Sequence, residues 1–246
     1  MVKLSVNVNK VATLRNSRGG SVPSVLEAVD VCIAAGSPGI TVHPRADRRH
    51  ITPEDVLAIA KVLRETHPGV EFNIEGDPRP DLLDLVEEVR PDQCTLVPVA
   101  PGEITSQAGW QPGPMTNQLP RTIERLRSRG IRISLFVDAI AEPVRWAASV
   151  GANRIELYTE PFARAFERGS DAGAKSFALY ADCARLAHDL QLGINAGHDL
   201  DLANLVLFRT LPFLEEVSIG HAIISRAVFV GLSKVVREYL DVLSGI

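Results

Sequence analysis

Eight short runs of β-branched and other apolar residues recur along this chain, each separated from the next by a stretch of helical periodicity. The runs are KLSVNV (3–8), GITVH (39–43), EFNIE (71–75), CTLVP (94–98), IRISLFVD (131–138), RIELY (154–158), LGINA (192–196) and EVSIG (216–220). Most are apolar on both faces, which suits a parallel sheet covered by helices rather than an antiparallel sheet with one wet face. Parallel neighbours need a crossover between them. Helical patterns at 24–36, 53–67, 80–89, 116–129, 142–150, 174–190 and 200–210 supply it, and an amphipathic pair at 222–230 and 233–244 closes the chain. Thr52 is placed to cap the second of these, with Pro53 at its first position and acids in its first turn. Eight strand–helix units in 246 residues average about 31 residues each, with no Pro/Gly-rich linker between them. The pattern predicts an α/β fold, a closed (β/α)8 TIM barrel forming one domain over 1–246. An open doubly wound sheet is the alternative, because periodicity does not report closure.

In such a fold all the strand carboxyl ends share one rim, and the ends of these runs are chemically loaded. His43, Glu75, Glu156, His198 and His221 each terminate or adjoin an apolar run. His43 is followed by PRADRRH, so Arg45 and His50 accompany it; a histidine exchanges protons near neutral pH and suits a general base. A structural histidine bonded to a backbone carbonyl is the competing reading. A carboxylate at the end of a buried strand, as at Glu75, is costly unless paired or hydrogen-bonded. A neighbouring histidine or a structural arginine are both open as its partner, and Glu156 presents the same choice on the sixth strand. His198 lies in NAGHD, where Ala196 and Gly197 allow close backbone approach to a ligand. Gly220 and His221 fall between the eighth strand and a helix start, the usual phosphate site of these barrels. Asn7 and Arg18 flank ATLRNSRG, and an arginine fork matches phosphate; Arg15 reads instead as a solvated loop charge. His67 and His188 fall within helical patterns and read as surface residues.

Composition narrows the functional classes. The net charge is −4, and the basic cluster Arg45, Arg48, Arg49, His50 is too short to track a duplex, so nucleic acid is not an expected partner. A small anionic ligand fits this local charge better. Three cysteines, Cys32, Cys94 and Cys183, form no CxxC pair and read as inert packing. MVKLSVNVNK turns polar too early for a signal peptide and no run approaches a membrane span, so a cytoplasmic protein is expected. HxH, HExxH, GxGxxG, GxxxxGK[ST] and GxSxG are all missing from the sequence, so neither a metal centre nor a nucleotide loop is expected. Two segments, 99–114 and 159–175, exceed ordinary connection length and read as long loops on the active rim.

VATLRNSRG, ITVHPRADRRHIT, SLFVD, INAGHDL and IGHAIISRAV together resemble the pyridoxine 5′-phosphate synthase family of bacterial vitamin B6 biosynthesis, with matches from residue 5 to about 232. The resemblance implies a (β/α)8 barrel that forms homo-oligomers, commonly octamers. It implies condensation of 1-deoxy-D-xylulose 5-phosphate with 3-amino-2-oxopropyl phosphate to pyridoxine 5′-phosphate, phosphate and water, without metal or organic cofactor. By resemblance, His43 and Glu75 accept protons, His198 donates one and Glu156 stabilises a transition state. Asn9, Lys10, Arg45, His50 and Thr105 fall at positions that contact the deoxyxylulose phosphate. Asn7, Arg18, Asp199, Gly220 and His221 fall at positions that contact the amino ketone phosphate. The chain departs from the pattern in two places: many members carry Asp-His at Asn9-Lys10, and some carry glycine at Asp199. A sugar-phosphate isomerase or epimerase, and a phosphate-binding barrel without activity, are the alternatives.

Overall fold

The computed structural model describes residues 1–99 and 107–245. Eight strands, β1 (Lys3–Asn7), β2 (Gly39–Val42), β3 (Glu71–Gly76), β4 (Gln93–Leu96), β5 (Arg132–Val137), β6 (Arg154–Tyr158), β7 (Gly193–Gly197) and β8 (Leu214–Ile219), pair in sequence order into a closed barrel. Every pairing is parallel, and β8 returns to β1 to close the ring. This is the (β/α)8 barrel, and each expected strand lies within two residues of an observed one. Among the described residues the helices are α1 (Asn9–Asn16), α2 (Val25–Ala34), α3 (Pro53–Thr66), α4 (Pro80–Val89), α5 (Leu119–Arg127), α6 (Ala141–Ser149), α7 (Glu160–Glu167), α8 (Ser170–Asp189), α9 (Leu202–Phe208), α10 (His221–Val230) and α11 (Leu232–Ser244).

Local chemistry sets the helix starts. The Thr52 hydroxyl accepts the Asp55 N–H at 3.3 Å while the Asp55 carboxylate accepts the Thr52 N–H at 2.9 Å, a reciprocal cap that starts α3. Asp201 caps α9 by accepting from Ala203 and Asn204.

Strand parity divides the barrel wall in two. Leu4, Val6, Ile40, Val42, Ile74, Leu96, Leu135, Leu157 and Val217 are fully buried and belong to the apolar core, together with residues of the covering helices. The alternate positions point inward, and here most are polar, Phe136 near the rim excepted, whereas barrels of this class usually fill that space with branched apolar side chains. Ser5 and Thr41 hydroxyls lie 2.6 Å apart, Asn73 donates to Thr41 at 3.3 Å, and Thr95 donates to Asn73 at 3.1 Å. Lower in the barrel Arg132 donates to Gln93 at 3.0 Å and ion-pairs with Glu71, while Arg154 donates to Asn195 at 2.9 Å. Buried polar groups are tolerated when they find partners, and these residues form a connected network, although the buried Ser134 hydroxyl in the same column has no hydrogen-bond partner among the described residues. It forms the polar floor beneath the carboxyl rim.

Two segments differ from expectation. The stretch 159–175 is not a long loop: α7 and the first turn of α8 occupy most of it. Its Gly-containing, charged sequence suggests a loop, but tertiary packing overrides that. Phe162 and Phe166 share a face of α7, and Phe162 meets Phe208 at 4.9 Å and Tyr180 at 6.0 Å. The segment 99–114 is described only in part. Arg15 is not a solvated loop charge either. It lies on α1, which was not foreseen as a helix, and grips both carboxylate oxygens of Asp55 at 2.5 and 2.8 Å with 14% of its side chain exposed.

The three cysteines are free and buried, and burial pushes the Cys32 and Cys94 thiols up to about 12, as expected of inert packing. His67 is half-buried beside Asp30, and His188 is exposed and stacks flat on Phe213 at 3.6 Å, so neither approaches the barrel mouth. No helix among the described residues is long and apolar enough to cross a membrane.

Candidate active site

The carboxyl ends of the strands surround a cavity of about 470 Å³. His43, Glu75, Glu156 and His198, contributed by different strands, all line it.

His43 directly follows β2 and is buried, with its backbone N–H donating to the Asn9 side chain at 2.9 Å. Its ring lies 5.9 Å from that of His50. Burial, reinforced by His50 and by the Arg45 and Arg79 guanidinium groups, holds the imidazole well below its usual range. It is therefore neutral at physiological pH, and its Nε2 has no hydrogen-bond partner among the described residues. A buried neutral imidazole with an open nitrogen is equipped to take a proton. His50 is pushed down to about 4, by burial first and then by Arg45 and Lys10.

Glu75 has the opposite displacement. Burial pushes its carboxyl up to about 7, opposed by a 3.4 Å bond from the Ser218 hydroxyl. The Asn7 amide donates to its other oxygen at 3.3 Å. The hydrogen-bond partners are thus polar and neutral, neither the histidine nor the structural arginine that the sequence left open. Glu156 lies deeper, 3% exposed, and is raised well above the carboxylate range by burial and by Glu75 and Glu216 nearby. Its Oε2 has no hydrogen-bond partner among the described residues. Gly197 makes room for it: a Cβ there would stand 2.5 Å from Glu156 Oε1. That is the physical reason for glycine in NAGH, beyond ligand approach.

His198 follows β7 in a left-handed conformation, φ 86°, and Asp199 continues it at φ 55°. Consecutive non-glycine residues in this region are uncommon and are held by their surroundings. Thr159 bonds to the carbonyls of Gly197 and His198, and Asn204 bonds to the carbonyl of Asp199. The His198 ring packs between Phe136 at 5.5 Å and Tyr158 at 5.3 Å. Burial lowers its proton affinity, while Asp199 and Glu160 oppose that shift.

The binding candidates divide. Asn7, Asn9, Lys10, Arg45, His50, Asp199, Gly220 and His221 all line the cavity. Gly220 sits against Asn7, where a Cβ would come within 2.9 Å of the Asn7 carbonyl oxygen, and α10 begins at the next residue. The first N–H groups of that helix lack intrahelical acceptors and face an end of positive partial charge. Arg18 is exposed in the turn after α1 and stands outside the cavity wall. Thr105 lies outside the described residues. Of the basic cluster read as suiting an anionic ligand, Arg49 lines the wall beside Arg45 and His50; the sequence reading missed Phe136, Tyr158, Glu160 and Ser218 there. Parity was the available signal for two of them, since Phe136 is in step with Ser134 and Tyr158 with Glu156 along their strands.

A closed barrel whose rim gathers buried carboxyls and depressed imidazoles beside a helix start is an acid–base enzyme of the (β/α)8 class. The family model for "Pyridoxal phosphate biosynthesis protein PdxJ" matches residues 4–245, and the chain belongs to that family. Pyridoxine 5′-phosphate synthase of Christiangramia forsetii is 50% identical over 99% of this chain and 100% of its own length. The synthase of Xanthomonas oryzae pv. oryzae is 51% identical over 99% of this chain and 97% of its own. Among solved structures, phosphoribosyl anthranilate isomerase of Thermotoga maritima superposes with TM-score 0.64 at 14% identity, covering 100% of both chains. 3-Hexulose-6-phosphate synthase of Salmonella typhimurium does so with TM-score 0.64 at 15%, covering 99% of each. These two likenesses concern the fold alone.

Proposed function

We propose that this chain is a pyridoxine 5′-phosphate synthase, joining 1-deoxy-D-xylulose 5-phosphate to 3-amino-2-oxopropyl phosphate with release of phosphate and water. One observation carries the reading: a single cavity holds a neutral imidazole with an open nitrogen, at His43, beside carboxyls whose proton affinity burial raises, Glu75 to about 7 and Glu156 well above the carboxylate range. Imine formation, dehydration and ring closure each take a proton from one atom and deliver one to another. A site with acceptors and donors poised at the same pH can run that sequence with its own side chains.

His43 takes protons from the substrate carbon or amine that must become nucleophilic, and Glu75, near 7, passes between both states. His198 delivers a proton to the departing oxygen. Glu156, held neutral, offers a hydrogen bond to negative charge as it develops on a substrate oxygen. Lys10 and Arg45 meet the phosphate of the deoxyxylulose substrate, and the start of α10 at Gly220–His221 meets that of the amino ketone. Arg18 and Thr105 are assigned to the same binding set on the family resemblance.

The assay supplies the purified protein with both substrates and measures pyridoxine 5′-phosphate and released phosphate. Turnover needs both substrates. Conversion of either alone would favour an isomerase, and phosphate binding without turnover would favour an inactive barrel. We further propose a homo-oligomer, for which exposed Val228 and Phe229 on α10, at 72% and 87%, provide apolar surface; light scattering measures its order. The free, buried thiols suit a reducing cytoplasm.

A further inference from the structure

Among the described residues the cavity wall carries the carboxyl groups of Glu75, Glu156, Glu160 and Asp199, against three fixed cations, Lys10, Arg45 and Arg49. Two phosphorylated substrates entering such a site meet repulsion unless the carboxyl charge is suppressed. For Glu75 and Glu156 burial does this, since both carboxyls are raised. Glu160 and Asp199 sit at the rim, about a third exposed. Both are bonded to one residue. Arg164 on α7 donates through Nε to Glu160 at 3.0 Å and through one guanidinium nitrogen to Asp199 at 2.9 Å, its third nitrogen holding Glu167 at 2.7 Å. Asp199 is also the second left-handed residue after β7, directly attached to His198. Whatever fixes its side chain steadies the backbone that aims the His198 ring.

We propose that Arg164 is a positioning residue for anionic substrate: it holds Asp199 against α7 beside Glu160, offsets part of the carboxylate charge at the cavity mouth and steadies the left-handed step that carries His198. A forked guanidinium suits this task because it satisfies several carboxylates at fixed angles. This inference rests on assigning phosphorylated substrates to the cavity. It also accounts for how the chain tolerates aspartate at 199.

The test compares wild type, Arg164→Ala, Arg164→Gln and the double variant Arg164→Ala/Asp199→Asn in steady-state kinetics, with calorimetric titration of inorganic phosphate alongside. Removing Arg164 is expected to raise KM for at least one substrate about tenfold and weaken phosphate binding about as much, with kcat changing less than threefold. Asn at 199 keeps the side-chain shape, accepts a left-handed backbone and carries no charge, so the double variant falls between Arg164→Ala and wild type in KM, the remaining deficit being the contact Asp199 itself supplies. High ionic strength shrinks the single variant's defect. A role confined to the stability of α7 would lower the melting temperature without this recovery. The proposal is overturned if both single variants keep KM and phosphate affinity within twofold of wild type, if the loss falls on kcat alone, or if Asp199→Asn restores nothing. Absence of turnover by the wild-type protein would refute the synthase reading instead, and phosphate affinity would still decide the role of Arg164.

Discussion

Glu75→Gln should stabilise this protein while disabling it, and the gain should depend on pH in a defined direction. In the folded chain the carboxyl is raised from 4.5 to about 7. Below 4.5 both folded and unfolded states hold the proton, and the group makes no difference to stability. Between 4.5 and 7 the unfolded chain releases its proton while the folded chain keeps it, so stability falls as pH rises through that window. Above 7 the loss is complete. At about 1.4 kcal/mol per pH unit of displacement it amounts to about 3 kcal/mol, an order of magnitude that coupling to Glu156 modifies. Glutamine removes this burden and fits the same space, with its oxygen still able to accept from Asn7 and its amide facing the Ser218 hydroxyl. Urea unfolding at pH 8, at one fixed protein concentration, should show Glu75→Gln more stable than wild type by about 2–3 kcal/mol. At pH 4 the two should coincide. Turnover of the variant should be lost at both pH values. Equal stability at pH 8, or a variant less stable there than wild type, would refute the claim that burial without an ionic partner sets the state of this carboxyl.

The other expectations follow from single contacts. His43→Ala should lower kcat by about 10²–10⁴ with folding unchanged, the range for loss of a general base; steady-state kinetics with circular dichroism checks both parts. Gly197→Ala sets a methyl group 2.5 Å from Glu156 Oε1 and 3.0 Å from the Ser218 carbonyl oxygen. It should cost about 1–3 kcal/mol in unfolding experiments and displace Glu156, with turnover falling further than stability. Arg15→Ala leaves Asp55 without its bidentate partner and the His50 carbonyl without one of its donors. A loss of about 2 kcal/mol is expected in thermal or urea unfolding, with Arg15→Lys recovering part of it. Log(kcat/KM) of the wild-type protein should rise with pH toward 7 as Glu75 gains its basic form, and a profile flat below 7 would refute that role.

The barrel was legible because its cause is repetitive. Eight short strand-like runs, each followed by a helical stretch, leave few alternatives to a parallel sheet, although the inward face proved polar where apolar residues were expected on both faces; the polar terminations of β2, β3, β6 and β7 pointed to a shared rim. Closure was not legible, since hydrogen bonds between β1 and β8 join residues more than two hundred positions apart. Nor was α7: Phe162 and Phe166 make a helix of a charged, glycine-bearing stretch only because Tyr180 and Phe208 are there to meet them. Arg15 was misread for the same reason, its partner being 40 residues away on α3. Among site residues the histidines and carboxylates at strand ends announced themselves. Arg164 did not, because nothing in TEPFARAFERG tells which of its neighbours it will hold.

The most direct measurement is a crystal structure of the protein with pyridoxine 5′-phosphate bound. The account places the ring inside the barrel mouth within hydrogen-bond reach of His43, Glu75 and His198, with its phosphate on a helix start or a cavity cation. A product molecule seated away from those three side chains, or a mouth too narrow to admit it, would contradict the account at its root.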